Sequence, residues 1–436
     1  MRRFIGCATV LALVFAVGCT SPTSAKPSAQ HRGGTTTPRP TNTVGITKDS
    51  VKISFIYADL SILTKQHLAP DLGDAAKAVQ ATVDEINANG GVAGGRKLVV
   101  KMHSIPNAPI ATAAVLQRAC VQATEEDKPL AVVIGAAVIS NVVECAAIAH
   151  QQLAITMDSW RKKIYDDADG RIFSIGTPMS VDIERAYGAL PTLLAPTHAL
   201  DGKTIGILNQ DLPADRTAAA AALKGALTKA GIKLAAEATV PYPEGSLTCS
   251  QPDVAIQKMK DAHVNFVFLL AQALCAAALV KAAQDADYKP GWATLGNNVT
   301  DTVSQFIAPA KNTFDGAWGV GTVFPKSNQA GYDCTAIIKR RVGLSAVPGE
   351  DAWGFAALAC IQIQTLAGAL NAAKEPLTQG TVIDAFQSMK SVPMIAGPPG
   401  SLSPTKHDAG DYVFLEKFSA ARGKFVPYDV TPLRVP

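Results

Sequence analysis

The 436 residues contain no G-x-S-x-G elbow, no H-E-x-x-H helix, no C-x-x-C pair and no G-x-x-x-x-G-K-[ST] loop. Each of those patterns holds a nucleophile, a metal, a redox pair or a phosphate at a spacing the chemistry requires. Hydrolase, zinc-protease, thiol-redox and P-loop activities therefore have no basis in this sequence. Concentrated charge is also missing. The net charge of +4 includes arginines near the N-terminus and is otherwise spread along the chain, so there is no basic stripe for nucleic acid. The seven histidines (His31, His67, His103, His150, His198, His263 and His407) stand at no ligand spacing and read as surface residues, so neither a metal nor a cofactor is expected. Gly316, Gly319 and Gly321 only loosely imitate a nucleotide loop. No helix directly follows them, and a twisted strand is the better reading. Beyond the N-terminus no second long apolar run appears, so the folded part is expected to be soluble.

What is present begins with an export signal. Arg2-Arg3 precede the apolar run Phe4 to Val17, which is shorter than the roughly 20 residues of a membrane-spanning helix. Ala16-Val17-Gly18-Cys19 resembles a lipoprotein cleavage box, so residues 1–18 read as a leader and Cys19 as the acylated residue. Residues 19–48 are rich in Ser, Thr and Pro and cannot bury enough surface to offset the entropy of ordering them. They read as a tether spanning on the order of 30 Å, and the Thr/Pro cluster is a compositional candidate for O-linked sugar.

The folded part is organised around Val79 to Val100. Val79, Val83 and Ile86 recur at helical spacing, Asn89-Gly90-Gly91 stops the helix, and Gly94-Gly95 turn the chain into a strand at Lys97. With the strand-like Val51–Ala58 before it, this is strand-helix-strand, the first unit of a parallel sheet. Strands are expected at 130–135, 153–157 and 171–175, with helices near 110–123, 140–151 and 181–194. A second series of the same plan runs from Thr204 to Gly296 and is followed by a strand at 316–323. With 48% apolar residues and this length, the fold class is α/β, with two doubly wound parallel-sheet lobes.

The phrase VDEINANGGVAGGRKLVV, with its flanking strands and the lipoprotein leader, resembles the opening of the substrate-binding proteins of branched-chain amino-acid ABC transporters. This is the Leu/Ile/Val-binding family, with the type I periplasmic-binding-protein fold. The resemblance extends from residue 50 to 436, where DAWGFAALACIQIQTLAGAL looks like the family's long returning helix. It implies a three-crossing hinge, with residues 49–175 and 325–391 in lobe 1 and residues 176–324 and 392–436 in lobe 2. It also implies a monomeric, lipid-anchored, non-enzymatic receptor on the outer face of the cell membrane, passing a small polar solute to an ABC permease. A sensory receptor signalling to a membrane partner would share the fold. An exported enzyme would need a catalytic constellation that Asp158-Ser159, with no histidine nearby, does not supply.

Six cysteines lie beyond Cys7 and Cys19, and an even count in an exported chain favours disulfides, although fifteen pairings are open. The expected element order favours local bridges: Cys120 with Cys145 on successive helices, Cys334 with Cys360 on another such pair, and Cys249 with Cys275 flanking one helix-strand unit. Buried free thiols are the alternative.

On doubly wound sheets, ligands bind outside the carboxyl ends of the strands. That makes Asp59, Ala136 to Ser140 and Asp158-Ser159-Trp160 the candidates in lobe 1. In lobe 2 they are Gln210-Asp211, Gln272 and Asn297-Asn298. For Ser140 alone, capping its helix is the stronger reading; Asp59 and Asp211 also suit ordinary turns or caps, and Trp160 simple packing. The resemblance implies an acidic residue for a ligand ammonium where this chain has Asn298. The loop after Met157 lacks the family's Ala and Thr, and Asn209 to Pro213 lacks its Tyr-Gly. A buried ammonium without a carboxylate is costly. Either Asp59, Asp158 or Asp211 supplies the charge, or the solute is an amide, an aromatic acid or another small carboxylate.

Overall fold

The computed structural model describes residues 41–65, 73–108, 111–135, 140–158, 160–176, 181–211, 215–243, 248–271, 273–295, 307, 310–321, 324, 328–344 and 351–435. Its first sheet has the order β2-β1-β3-β4-β5, all parallel: β1 Ser50–Asp59, β2 Lys97–Pro106, β3 Ala131–Ile134, β4 Leu153–Thr156 and β5 Ile172–Ser174. The interior strand β1 buries both faces, as expected where helices cover a parallel sheet on two sides. Val51, Ile53 and Phe55 enter one core cluster, and Ile56 and Ala58 enter another. Its polar positions are also used: Ser54 Oγ donates to Asp127 Oδ2 at 2.8 Å, and Lys52 Nζ donates to the Asp127 carbonyl at 3.0 Å.

Short helix α1, Ser61–Lys65, follows β1, and α2, Ala75–Ala88, leads to β2. Asp74 caps α2 by accepting from Lys77 N–H at 2.9 Å. At the other end Gly90 and Gly91 adopt φ of 102° and 74°, and a Cβ on Gly91 would lie 2.3 Å from the Arg96 carbonyl oxygen. Both side-chain ends of Asn87 bond the backbone of Leu98, at 2.8 and 2.9 Å, which clamps helix to strand. Helix α3, Ala113–Val121, passes into a π-helical segment, Gln122–Glu126, and α4, Ser140–Glu144, passes into another, Cys145–Ala149. Helix α5, Lys162–Asp167, which the sequence reading did not anticipate, connects β4 to β5.

The second sheet has the order β12-β11-β10-β9-β8-β6-β7. Its strands are β6 Ile205–Asp211, β7 Leu234–Pro241, β8 Phe266–Leu270, β9 Gly291–Leu295, β10 Trp318–Gly321, β11 Tyr412–Ser419 and β12 Lys424–Arg434. The parallel part, β7-β6-β8-β9-β10, repeats the order of the first sheet; β11 and β12 close it in antiparallel pairing. Helices α6 Ile183–Leu194, α7 Asp215–Lys229, α8 Pro252–Asp261 and α9 Ala273–Asp285 belong to this half. Gly319 and Gly321 do lie in a strand. Their missing side chains leave room for Phe425 of β12 and Phe414 of β11, whose rings a Cβ would meet at 2.7 and 2.3 Å.

Helices α10 Gln329–Val342 and α11 Asp351–Ala372 pack with Ala78 and Met157 on the first half. Within α11, Phe355–Ala372 is long and apolar enough to cross a membrane, but most of it is buried among protein side chains, so this apolar run serves as a core helix. Helix α12, Gln379–Gln387, was not foreseen in the sequence. Reciprocal Thr378–Thr381 bonds cap it, and Phe386 stacks on Phe173 with centroids 4.6 Å apart. Three disulfides join Cys120 to Cys145, Cys249 to Cys275 and Cys334 to Cys360.

The tether expected to reach residue 48 is already docked by Asn42: its carbonyl accepts from Gln379 N–H at 2.9 Å, and Ile46 packs on the first core. Val392, Met394, Leu402 and Ala409, in the segment expected to belong to the second half, are buried in the first core. Leader residues 1–18 and Cys19 lie outside the described residues.

Candidate functional site

Strand order reverses between β1 and β3 in one sheet and between β6 and β8 in the other, and each reversal opens a crevice at the carboxyl edge. The order β1-β3-β4 places the segments after those strands side by side, which brings Asp59, Ser140 and Asp158 to one edge. The order β6-β8-β9 does the same for the second sheet.

Asp59 is half-buried and serves as a cap: its Oδ1 accepts from Ser61 N–H at 3.0 Å. Ser140 is the first residue of α4. Trp160 is buried with Leu60, Leu63, Ile164 and Tyr165, an apolar wall that the first residues after β1 and β4 build together. Its indole Nε1–H has no hydrogen-bond partner among the described residues. Such a buried donor is costly unless something outside the chain accepts from it. Asp158 keeps some solvent contact, but its carboxyl lies deep among protein atoms, and burial pushes it up to about 7.

On the second sheet Gln210 is fully buried within β6 and Asp211 is exposed at its end. Their neighbour Asn209, which the sequence reading passed over, is buried, and its Oδ1 has no partner among the described residues. The one signal for it is a polar residue near the carboxyl end of a strand that is otherwise apolar. Ala136, Ser159, Gln272, Asn297 and Asn298 lie outside the described residues.

The chain passes between the halves three times: after β5, after β10 and before β11. Backbone bonds tie these crossings together. Ile395 N–H donates to the Gly176 carbonyl at 3.0 Å, and Asn328 N–H donates to the Ile395 carbonyl at 3.0 Å. Phe324 packs on Phe414 with centroids 4.8 Å apart. At the first and third crossings lies a buried charge cluster that sequence reasoning missed. Arg185, on α6, pairs with Asp408, whose backbone bridges to Ser174 of β5. The Arg185 Nη2 also donates to the Val435 carbonyl at 3.0 Å, and Asp182 N–H donates to Asp408 Oδ2 at 2.8 Å. Lys406 Nζ completes the cluster at 2.9 Å from Asp411 Oδ1. Burial raises the Asp408 carboxyl above its ordinary value, with Lys406 and Arg185 opposing the shift. Because both crossing strands, β5 and β10, enter the hinge from their carboxyl ends, the carboxyl edges of both sheets border it. This arrangement allows closure on a solute held between the halves, and no catalytic constellation is assembled at these edges among the described residues.

Several solved structures share this architecture. A branched-chain amino acid ABC transporter protein from Thermus thermophilus with bound valine matches with a TM-score of 0.62 at 16% identity, covering 88% of this chain and 97% of that one. A fatty acid ABC transporter substrate-binding protein from Thermomonospora curvata matches with a TM-score of 0.63 at 16% identity, covering 91% and 97%. An ABC transporter substrate-binding protein from Desulfitobacterium hafniense in complex with Leu gives 0.60 at 16%, covering 87% and 100%. A search of curated proteins found no match. The family model described as periplasmic binding protein matches residues 68–421. With that match over most of its length and the type I fold of two sheets on a three-crossing hinge, the chain belongs to the periplasmic binding protein family of extracytoplasmic, non-enzymatic solute binders.

Proposed function

We propose that this protein is a lipid-anchored receptor, acylated at Cys19, that closes on a small polar solute and delivers it to an ABC permease. The observation that carries this reading is the hinge: three tied crossings with the carboxyl edges of both sheets bordering them. Lobe 1 would comprise residues 41–176 and 328–409, and lobe 2 residues 182–321 and 411–435. The solved relatives are titled for valine, leucine and fatty acid. In this chain, an apolar wall beside a carboxyl that keeps its proton up to about 7, with an indole N–H that has no partner among the described residues, suits a solute that brings both an acceptor and an apolar body, such as an aromatic or aliphatic carboxylate or an amide.

A thermal-shift screen of residues 20–436 against amino acids, amides, aromatic acids, fatty acids, nucleobases and sugars tests this reading. A ligand at a hundredfold excess over its dissociation constant adds about 2.7 kcal/mol. No shift from any member would count against solute capture. Trp160→Ala and Asp158→Asn are each expected to weaken the ligand found by tenfold or more in calorimetric titration, about one hydrogen bond to a buried group. Unchanged affinity in both would place the site elsewhere.

Asp158 also predicts a pH dependence. The folded protein holds its proton up to about 7, whereas the unfolded chain releases it near pH 4. The Asp158 contribution to ligand-free stability therefore falls as pH rises between those values and is level above them. Urea midpoints measured from pH 4 to 8 should show a smaller decline in Asp158→Asn. An identical slope in the variant would reject the assignment. Should the ligand carry an ammonium, its binding is expected to tighten as pH rises through the same window.

A further inference from the structure

The Cys120–Cys145 bridge has a setting that the other two lack. The Sγ atoms of both cysteines and a ring nitrogen of His150 all lie within 4.8 Å of one another, the one such group among the described residues. Glu125 Oε1 stands 3.3 Å from His150 Nδ1. Both cysteine-bearing helices turn π-helical at this spot, in Gln122–Glu126 and Cys145–Ala149. An α-helix would carry the fifth residue after Cys145 to a different face. The π turn instead closes with His150 N–H on the Cys145 carbonyl at 3.0 Å and sets His150 over the cysteine. Single π turns are rare and concentrate at functional sites. The cysteines are buried, whereas the Glu125 side chain is 59% exposed and that of His150 20%, so the group is reached from solvent on the His150 side.

We propose that reduction of this bridge creates a zinc site. A dithiol reductant transfers two electrons and two protons to the disulfide, giving two thiols and its own cyclic disulfide. Zn²⁺ then displaces both thiol protons and binds the Cys120 and Cys145 thiolates and a His150 ring nitrogen, with water in the fourth position. Glu125 accepts the N–H of the other ring nitrogen and orients the imidazole, as carboxylates commonly do behind metal-bound histidine. Two thiolates with one imidazole suit zinc. A tetrahedral zinc holds its sulfurs about 3.8 Å apart, wider than any disulfide, so the metal and the bridge are mutually exclusive. The pair is then a redox-gated metal site in the first lobe, remote in sequence from the hinge charges.

The test uses the full chain, reduced with a phosphine and titrated with Co²⁺ as a spectroscopic stand-in for Zn²⁺. One equivalent is expected to give thiolate charge-transfer and tetrahedral ligand-field bands that Zn²⁺ abolishes. Zn²⁺ is also expected to protect Cys120 and Cys145 selectively from alkylation, mapped by mass spectrometry. Cys120→Ser should lose the bands, and His150→Ala and Glu125→Gln, which retain both cysteines, should weaken binding tenfold or more. Bands that persist in Cys120→Ser, protection spread over the cysteines of all three bridges or over none, or affinity unchanged in His150→Ala would overturn the proposal. So would a reduced chain that loses its circular dichroism and does not recover it with Zn²⁺.

Discussion

Asp408→Ala is expected to destabilise the protein by about 3–5 kcal/mol, the usual cost of removing one partner from a buried ion pair. The Asp408 side chain is 5% exposed and that of Arg185 20%, so the charge left behind is poorly solvated. The Asp182 N–H would lose its acceptor as well. The cost belongs to the orphaned groups rather than to the pair itself. Arg185→Met combined with Asp408→Leu should therefore recover much of the loss, and urea unfolding of the two singles and the double separates these contributions. Equal loss in the double variant would show that the aliphatic pair cannot pack there. Because Arg185 belongs to the second half and Asp408 is bridged to β5 of the first, the same change should alter ligand affinity even though neither residue is placed in the cleft.

Gly400→Ala is expected to cost about 3 kcal/mol, at the upper end of overpacking effects. A Cβ there would lie 1.8 Å from the Ala409 carbonyl oxygen, and 2.5 Å from the methyl carbon of Met394. Gly400 also exchanges two backbone bonds with Val392, at 2.7 and 3.0 Å, so it cannot shift without breaking that bridge. Gly188→Ala in α6 is the control, since nothing lies within 4 Å of its added carbon and it sits in a helix. It should be neutral or stabilising by about 0.5–1 kcal/mol. Thermal unfolding of the two variants side by side gives opposite shifts if close backbone approach, rather than glycine's flexibility, is what position 400 requires.

Much of the architecture was legible because its signals are local. The helix from Val79, its glycine stop and the strand at Lys97 rest on spacing and on φ values that glycine alone adopts readily, and the structure keeps all of them. The alternation of strands and helices implied parallel sheets, whose carboxyl edges then limited where a solute could sit. Within that edge the sequence could name Asp158 and Trp160 as neighbours after one strand. It could not show that burial would push one carboxyl up to about 7 or that one indole would lack a partner among the described residues. Both depend on what other segments stack around them. The segment 374–395 carried too weak a periodic signal to reveal α12, which forms because Val382, Ile383 and Phe386 meet a core built by residues far away in the chain.

By itself, then, the sequence determined the α/β class, two similar halves and the local order of their elements, since these follow from composition, period and turn chemistry. Only the tertiary structure decided the Arg185–Asp408 tie across 223 residues, the π turns that bring His150 to Cys145, and the docking of Asn42 on α12. Such contacts are selected by which surfaces the folded chain brings together, and a pairwise meeting of distant residues leaves no periodic trace along the chain.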